Sequence, residues 1–256
     1  MAVCRWLDDG LMVSRRVLIQ ALLLSPVALG AQCAGLRQRE LPATTARGPR
    51  TFDEARNALD PAAYPPEDPS SVGFRFSLTG SRYEITYSGT VRRTDVGGKT
   101  LEFRLDLGEK DSYLVRVYYA EVSGDIVVAC ESSDSESGWG FITRLDGSTM
   151  KPKWRDSIPG FNVGRGLVEG HFAYLTAFGF VAKTDLDSGT YLWRHDDLYD
   201  AFGPTGGHFN AFETPQLEGD TVLFKEESPD YSPVKTLKVD KRSGKLLGAS
   251  KRRPAF

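Results

Sequence analysis

The chain has 256 residues, of which 40% are hydrophobic and 26% are charged, and its formal net charge is −2. A length of this order fits one domain. Lys and Arg are spread among Asp and Glu, so the sequence lacks the basic footprint of a nucleic-acid-binding protein, and we expect no nucleic-acid partner.

Residues 1–30 have the layout of an export signal. An apolar run covers 17–29 and small residues follow it as a cleavage signal. The run is shorter than the roughly 20 apolar residues that span a bilayer. We therefore predict a periplasmic or secreted protein, and the alternative is a buried N-terminal helix. Asp8 and Asp9 disturb the positive charge expected upstream of the run, which favours Met12 as the true start.

The same signal resembles the twin-arginine export motif. The heptad 14–20 carries Arg15 and Arg16 followed by aliphatic residues, with Gln20 where lysine is common. Twin-arginine signals address bacterial proteins for export, and the resemblance implies export of an already folded protein. The alternative is an ordinary signal that happens to contain two arginines.

Three cysteines bear on the compartment. Cys33 lies just past the apolar run, where a bacterial lipoprotein has its lipidated cysteine, but Gln32 stands where that pattern requires a small residue. Removal of the signal at Gly30 would leave Cys33 and Cys130, enough for one disulfide in an oxidising compartment. The interpretation that we favour is an unpaired Cys130 buried in a strand. We expect membrane attachment only if Cys33 is lipidated.

Residues 31–71 are predicted to form a tether with a short helix. Thr51 and Glu54 have the spacing of a capping box, in which the glutamate reaches back to the backbone of the first residue, so the helix would run from Thr51 to about Leu59. Prolines from Pro61 onward would stop it.

Residues 72–256 are predicted to be β throughout. Apolar and polar residues alternate in segments such as 74–78, 83–87 and 101–107, which is typical of half-buried antiparallel strands. Gly-containing turns separate these segments. No stretch of this region keeps a helical period long enough for a core helix.

A degenerate repeat runs through the β region. Three aspartates each begin a turn and are followed eight residues later by a packing position: Asp146 by Trp154, Asp185 by Trp193, and Asp240 by Gly248. The units recur every 40 to 50 residues or so, roughly the size of one four-stranded propeller blade. The predicted fold class is all-β, a small β-propeller-like array of about four four-stranded antiparallel blades after the export signal and the tether.

The stretch 184–193 resembles the Asp-x-x-x-Gly-x-x-x-Trp core of the pyrroloquinoline-quinone-like propeller repeat, found in quinoprotein dehydrogenases and envelope-assembly lipoproteins. The resemblance covers about half the chain. It implies that Asp185 and Gly189 shape the turn between the outer strands and that Trp193 packs between neighbouring blades. Asx-turn chemistry and a glycine at positive φ support the same turn without the family. The adjacent cysteines that such a dehydrogenase has beneath its cofactor are absent from the sequence, so we predict no cofactor.

Motifs of the common catalytic and metal sites are absent from the sequence. The most site-like segment is 203–213, where glycines permit close backbone approach and where His208, Asn210 and Glu213 supply polar groups. His195, at an apparent blade exit, would join His208 if their loops meet at one mouth of the propeller. A structural or surface role is the alternative for each histidine.

The prediction for function is an exported, non-catalytic module that binds a protein or cell-envelope partner through its blade-connecting loops. One alternative is a periplasmic immunity-type inhibitor of a toxin. Another is a small hydrolase or lyase with His195, His208 and Glu213 at the channel mouth.

Overall fold

The computed structural model describes residues 48–57, 65–134, 136–198, 208–227 and 234–252. All secondary structure among them is β, so the all-β prediction is confirmed. None of these residues belongs to a helix long and apolar enough to cross a membrane. The predicted export signal with Arg15 and Arg16, and also Cys33, lie outside the described residues.

The described strands form four antiparallel sheets, each built mainly from consecutive strands, and we call these sheets blades. Three short strands come first: β1 (Arg50–Thr51), β2 (Asp53–Glu54) and β3 (Arg56–Asn57). The first blade contains β4 (Val72–Leu78), β5 (Ser81–Thr86), β6 (Thr90–Thr94) and β7 (Thr100–Arg104). The second contains β8 (Tyr113–Val122), β9 (Asp125–Ser133), β10 (Gly138–Leu145) and β11 (Pro152–Ile158). The third contains β12 (Leu167–Glu169), β13 (Phe172–Ala177), β14 (Phe180–Asp185) and β15 (Tyr191–His195). The fourth contains β16 (Gln216–Glu218), β17 (Thr221–Lys225), β18 (Val234–Asp240) and β19 (Leu246–Arg252).

The N-terminal segment 50–57 is extended, so the helix predicted from Thr51 was wrong over these residues. β1 pairs with β12, β2 with β8 and β3 with β4, which means that the segment crosses the first strands of the third, second and first blades in turn. Between these pairs, Phe52 N donates to Gly166 O at 2.9 Å and Ala55 N donates to Val117 O at 3.0 Å. Phe52 is fully buried. Three sheet edges and a buried aromatic ring therefore outweigh a capping box, whose isolated helix would be too short to be stable in water.

Hydrophobic clusters fill the interfaces between consecutive blades. Side chains of a strand alternate between its two faces, so neighbours in one strand enter different clusters. In β9, Val128 packs between the first and second blades and Val127 between the second and third. In β13, Leu175 joins the latter cluster and Tyr174 packs between the third and fourth blades. Within the described ranges, no cluster joins the fourth blade to the first.

The outward face of the first blade, which no other described sheet covers, carries ion pairs. Arg75 lies 3.4 Å from Glu84, and Arg92 lies 2.7 Å from Glu102, across adjacent strands of this face. A polar face of this kind is compatible with exposure to solvent.

Cys130 lies in β9 and is fully buried without a disulfide partner, which confirms the interpretation of an unpaired core cysteine. Burial raises the pKa of its thiol well above the ordinary value. The thiol is therefore an apolar packing group, since thiolate is the reactive form.

The last two strands of each blade are joined by a turn that begins with an aspartate, and we call these the Asp turns. They start at Asp95, Asp146, Asp185 and Asp240. Asp240 Oδ1 accepts hydrogen bonds from the backbone N–H of Arg242 at 3.2 Å and of Ser243 at 2.7 Å, as predicted for an Asx-turn. Gly189 and Gly244 have φ of 77° and 73°, also as predicted, whereas Met150 holds the same position at 61°.

Two side chains of the second blade converge on one carbonyl of the third. Trp154 Nε1 donates to Leu186 O at 2.9 Å, and Arg144 Nη1 donates to the same oxygen at 2.7 Å. The indole ring covers Gly189, where an added Cβ would lie 2.5 Å from the ring. We call this arrangement the interblade clamp. In it, a basic side chain and a tryptophan of one blade donate to the backbone carbonyl of the residue that follows the turn aspartate of the next blade.

The clamp recurs between the third and fourth blades. Trp193 Nε1 and Lys183 Nζ donate to Lys241 O at 3.3 and 3.1 Å. Trp193 covers Gly244, and a Cβ there would lie 2.4 Å from its Cγ. The packing of Trp193 between neighbouring blades, implied by the repeat resemblance, is therefore confirmed.

The basic member of the clamp was missed in the sequence, although its signal is visible. A cation stands two residues before each turn aspartate: Arg93, Arg144, Lys183 and Lys238. Arg93 Nη1 donates to Gly147 O of the second blade, so the first interface keeps the cation and lacks the tryptophan. In the fourth blade, Lys238 is exposed and Gly248 stands at the tryptophan position. The fourth blade therefore departs from the repeat at the tryptophan position.

Candidate functional site

The segments between blades lie on one side of the sheets. Neighbouring strands within a blade are antiparallel, so the second and fourth strands of a blade run in the same direction and end on the same side of the sheet. The chain passes to the next blade on that side. Segments 105–112, 159–166, 196–198 and 208–215 therefore share this side with the turn after each second strand. We call it the linker face, and the Asp turns lie on the opposite side.

Backbone hydrogen bonds join the second and third linkers through the turn after β13. In the turn after β13, Phe178 N donates to Phe161 O of the second linker at 2.8 Å. The next residue, Gly179, donates to Asn210 O of the third linker at 3.1 Å and accepts from Leu198 N at 3.1 Å. A surface held by backbone bonds needs little ordering when a partner binds, which favours affinity.

A stacked aromatic pair lies on this surface, and one of its two rings, Phe161, is exposed. The rings of Phe161 and Phe178 are stacked with centroids 4.6 Å apart and an interplanar angle of 20°. Phe161 is 42% exposed. Among the described residues the other large apolar side chains with comparable exposure are Val96, Leu192 and Leu247, none of which is in a linker. Aromatic side chains of this kind are enriched among the residues that dominate binding energy at protein interfaces.

Asn210, one of the predicted site residues, contacts a buried carboxylate. Glu226 is 1% exposed, and its Oε1 accepts from Asn210 N at 2.9 Å and from Asn210 Nδ2 at 3.0 Å. Lys235 Nζ lies 3.2 Å from the same oxygen and neutralises it. Glu226 was missed in the sequence, because in the run 225–227 nothing distinguishes a buried carboxylate from solvated neighbours. The cluster fixes the third linker to the fourth blade.

Glu213 lies close to this cluster and is paired as well. Its carboxylate is 2.6 Å from Lys225 Nζ, and its N–H donates to Lys225 O at 2.8 Å. His208 is exposed at the start of the described part of the third linker. The structure thus brings Asn210 and Glu213 together at the end of β17 that faces the linkers.

His195 contacts the other end of the fourth blade. Its Nε2 lies 2.8 Å from Gly244 O in the Asp turn, and since a carbonyl only accepts, this nitrogen carries the proton. Asp240, which begins that Asp turn, pairs with Thr221 at the start of β17. Glu213 instead contacts Lys225, at the end of β17. Five strand residues separate these ends by roughly 13 Å. In the described contacts His195 strengthens the interblade clamp and does not meet Glu213.

A groove of about 740 Å³ opens on the same side along the first linker. Its walls are Pro69, the turn after β5 at Ser88, and residues 104–112 from the end of β7 through the first linker. Leu105 and Leu107 are buried in the hydrophobic cluster beneath it. The described residues contain no group of three or more His, Cys, Asp or Glu that could hold a metal ion.

Comparisons with protein-family models give no match, and comparisons with curated proteins give none either. Among solved structures, the chain is similar to BamB from Moraxella catarrhalis, with TM-score 0.46 and 16% identity, over 69% of this chain and 50% of that one. It is also similar to quinohemoprotein alcohol dehydrogenase from Comamonas testosteroni, with TM-score 0.46 and 14% identity, over 74% of this chain and 38% of that one. A europium-containing methanol dehydrogenase matches with TM-score 0.37 and 13% identity, over 78% of this chain and 30% of that one.

The chain thus spans half or less of the length of these three proteins. Likenesses of this strength carry no argument about function. The description of the fold as propeller-like rests on the blades, the Asp turns and the interblade clamp.

Proposed function

We propose that this chain is an exported, non-catalytic β-propeller-like module that binds a protein or cell-envelope partner through its linker face. The observation that carries the proposal is the stacked pair of Phe161 and Phe178, with Phe161 exposed on a surface whose loops are joined by backbone bonds. Aromatic residues are enriched in protein interfaces relative to the rest of the surface.

The surroundings of the pair support a binding role. Asp196 and Asp197 are exposed directly before Leu198, which is hydrogen-bonded to the turn that carries Phe178. An apolar centre with a charged rim is the usual anatomy of a protein interface. Asn210 and Glu213, which the sequence suggested as a ligand loop, would support the surface from beneath through Glu226 and Lys225.

The test compares two substitutions of exposed apolar residues. The mature chain from Ala31, tagged at its C-terminus, is used to capture partners from envelope extract, as the native sequence, as Phe161→Ser and as the control Leu192→Ser. Leu192 is 49% exposed in β15 and lies away from the linkers. We expect a stoichiometric partner with the native chain and the control, and at least tenfold less with Phe161→Ser, since truncating an interface centre costs about 2 kcal/mol or more.

Equal capture by all three proteins would refute the linker face as the binding surface. Export is tested separately by N-terminal sequencing of the protein recovered from cell fractions. A chain retained in the cytoplasm with residues 1–30 intact would refute that part of the proposal alone.

A further inference from the structure

The backbone on either side of Phe161 has a conformation that needs support. Gly160 has φ of 98° and Asn162 has φ of 51°, both in the left-handed region that residues other than glycine rarely adopt. An added Cβ at Gly160 would lie 2.9 Å from Phe178 O, so the second linker passes close to the turn after β13. Such strain persists only where the surrounding structure holds it. Contacts elsewhere in the linker must therefore fix the position of Phe161.

A carboxylate and a guanidinium of the second blade hold the linker just after Phe161. Glu131, in β9, accepts a hydrogen bond through Oε2 from Val163 N at 3.0 Å. Arg116, in β8, donates through Nη1 to Val163 O at 3.1 Å. The same Nη1 lies 4.0 Å from Glu131 Oε2, so the two charges also attract each other. Both backbone polar groups of Val163 are thus bonded to side chains of the second blade.

The contact between Glu131 and Val163 is buried. Glu131 is 7% exposed and Val163 is 1% exposed, so water has little access to it. Val163 packs directly on β10, where an added Cβ at Gly140 would lie 2.6 Å from its Cγ2. The next residue, Gly164, donates to Thr176 O at 2.9 Å. A buried N–H without an acceptor destabilises a fold. Loss of the Glu131 carboxylate therefore forces Val163 either to stay unpaired or to move.

Movement of Val163 would reach the aromatic pair. An added Cβ at Gly138 would lie 3.1 Å from Phe161 Cβ and 3.8 Å from Glu131 Oε1, so Phe161 and the carboxylate lie side by side over Gly138. Phe161 O accepts a hydrogen bond from Phe178 N at 2.8 Å, and this bond joins the two backbones whose rings are stacked. The position of Phe161 against Phe178 therefore depends on where Glu131 holds the linker.

We propose that Glu131 is a positioning residue of the linker face, whose bond to Val163 N presents Phe161 in the stacked position before a partner arrives. This role rests on the proposed function of the linker face. Glu131 is buried, so it acts through the backbone and does not itself contact the partner. A linker that became ordered only on binding would weaken the affinity by the free energy of that ordering. Glu131 removes this cost by fixing the linker in the free protein.

The first experiment compares Glu131→Ala with Glu131→Gln in solution by nuclear magnetic resonance. Alanine removes the acceptor, whereas glutamine keeps an oxygen that accepts from Val163 N. In Glu131→Ala we expect the Val163 amide to exchange with solvent at least about tenfold faster, as for the loss of a hydrogen bond to a charged group. We also expect the nuclear Overhauser contact between the rings of Phe161 and Phe178 to disappear. Glu131→Gln should keep both the slow exchange and the ring contact. Native behaviour of Glu131→Ala, or equal loss in both variants, would overturn the role of the bond.

The matched control is Glu169→Ala, which removes a carboxylate far from the linkers. Glu169 accepts from Lys241 Nζ at 2.8 Å and from the hydroxyl of Tyr174 at 3.0 Å, on the side of the Asp turns. This variant should keep the contact between the rings of Phe161 and Phe178, even where its melting midpoint falls as far as that of Glu131→Ala. Loss of the ring contact in Glu169→Ala as well would assign the effect to general destabilisation and overturn the inference.

Partner capture from envelope extract separates this role from the proposed function. We expect Glu131→Ala to capture at least about tenfold less partner than the native chain, and Glu131→Gln and Glu169→Ala to capture it normally. Full capture by Glu131→Ala together with loss in Phe161→Ser would overturn the positioning role and leave the linker face as the binding surface. Equal capture by the native chain and Phe161→Ser would refute the proposed function, and with it any role of Glu131 in binding.

Discussion

Replacing Trp193 by alanine tests whether the interblade clamp holds the third and fourth blades together. Trp193 is 8% exposed, and its ring lies 6.3 Å from those of both Tyr174 and Phe224, centroid to centroid. Emptying such a site costs about 3 to 5 kcal/mol. Lys183 still donates to Lys241 O in the variant, so the carbonyl stays paired and packing dominates the loss.

For a domain of this size, each kcal/mol shifts the thermal midpoint by about 2 to 4 °C, so we expect a decrease of roughly 6 to 20 °C. The matched control is Leu192→Ala, the preceding residue of the same strand, which is 49% exposed. It should cost at most about 1 kcal/mol. Calorimetry on both variants measures the difference.

Hydrogen exchange gives the location of the effect. Trp193 closes the last described interface, so the variant should lose amide protection first in β16–β19 and keep it in β4–β7. A midpoint within about 2 °C of the native value, or equal loss of protection in the first and fourth blades, would refute the role of the clamp.

The remaining predictions concern the N-terminal segment and the Asp turns. Phe52→Ala should lower the unfolding free energy by about 3 to 5 kcal/mol, because Phe52 is fully buried. The control Thr51→Ala changes an exposed neighbour and should cost under about 1 kcal/mol. Chemical denaturation of both variants measures the difference. The hydroxyl of Ser243 holds the pKa of Asp240 below its usual 3.8. The contribution of this carboxylate to stability is present above about pH 4 and is lost as the pH falls through the lowered pKa. Asp240→Asn lacks the titrating group, so in acid titrations its stability should fall less steeply below about pH 4 than that of the native chain. Identical curves for the two proteins would contradict this prediction.

Local chemistry explains which elements could be predicted. Asp185 and Asp240 begin Asx-turns and Gly189 and Gly244 adopt positive φ, as their residue types dictate. The alternation of apolar and polar residues predicted strands of the first blade. In the second and third blades both faces are buried, so runs such as 126–130 are apolar throughout, and only length and flanking glycines indicate a strand.

The N-terminal segment shows where such reasoning fails. Thr51 and Glu54 satisfy a local helix signal, but Phe52 and Ala55 are fixed by backbone bonds to Gly166 and Val117, which lie far along the chain. No window of sequence contains those partners. Tertiary hydrogen bonds and burial decided the backbone conformation there.

The candidate site was predictable only in part. The sequence pointed to His208, Asn210 and Glu213, and the structure places Asn210 and Glu213 at one end of β17. The sequence did not reveal Glu226, because a buried carboxylate in a charged run has the same residue pattern as its exposed neighbours. Phe161 and Phe178 were not recognised as a pair, since they lie in a linker and a turn that meet only through packing.

By itself the sequence determined the all-β class, the period of the blades and the Asp turns, because hydrophobic alternation and turn chemistry depend on residues close together in the chain. Only the tertiary structure decided the path of 50–57 across three blades, the interblade clamp on Leu186 and Lys241, and the composition of the linker face. These features join residues from different blades, and their free energy comes from burial and hydrogen bonds that exist only once the sheets have packed.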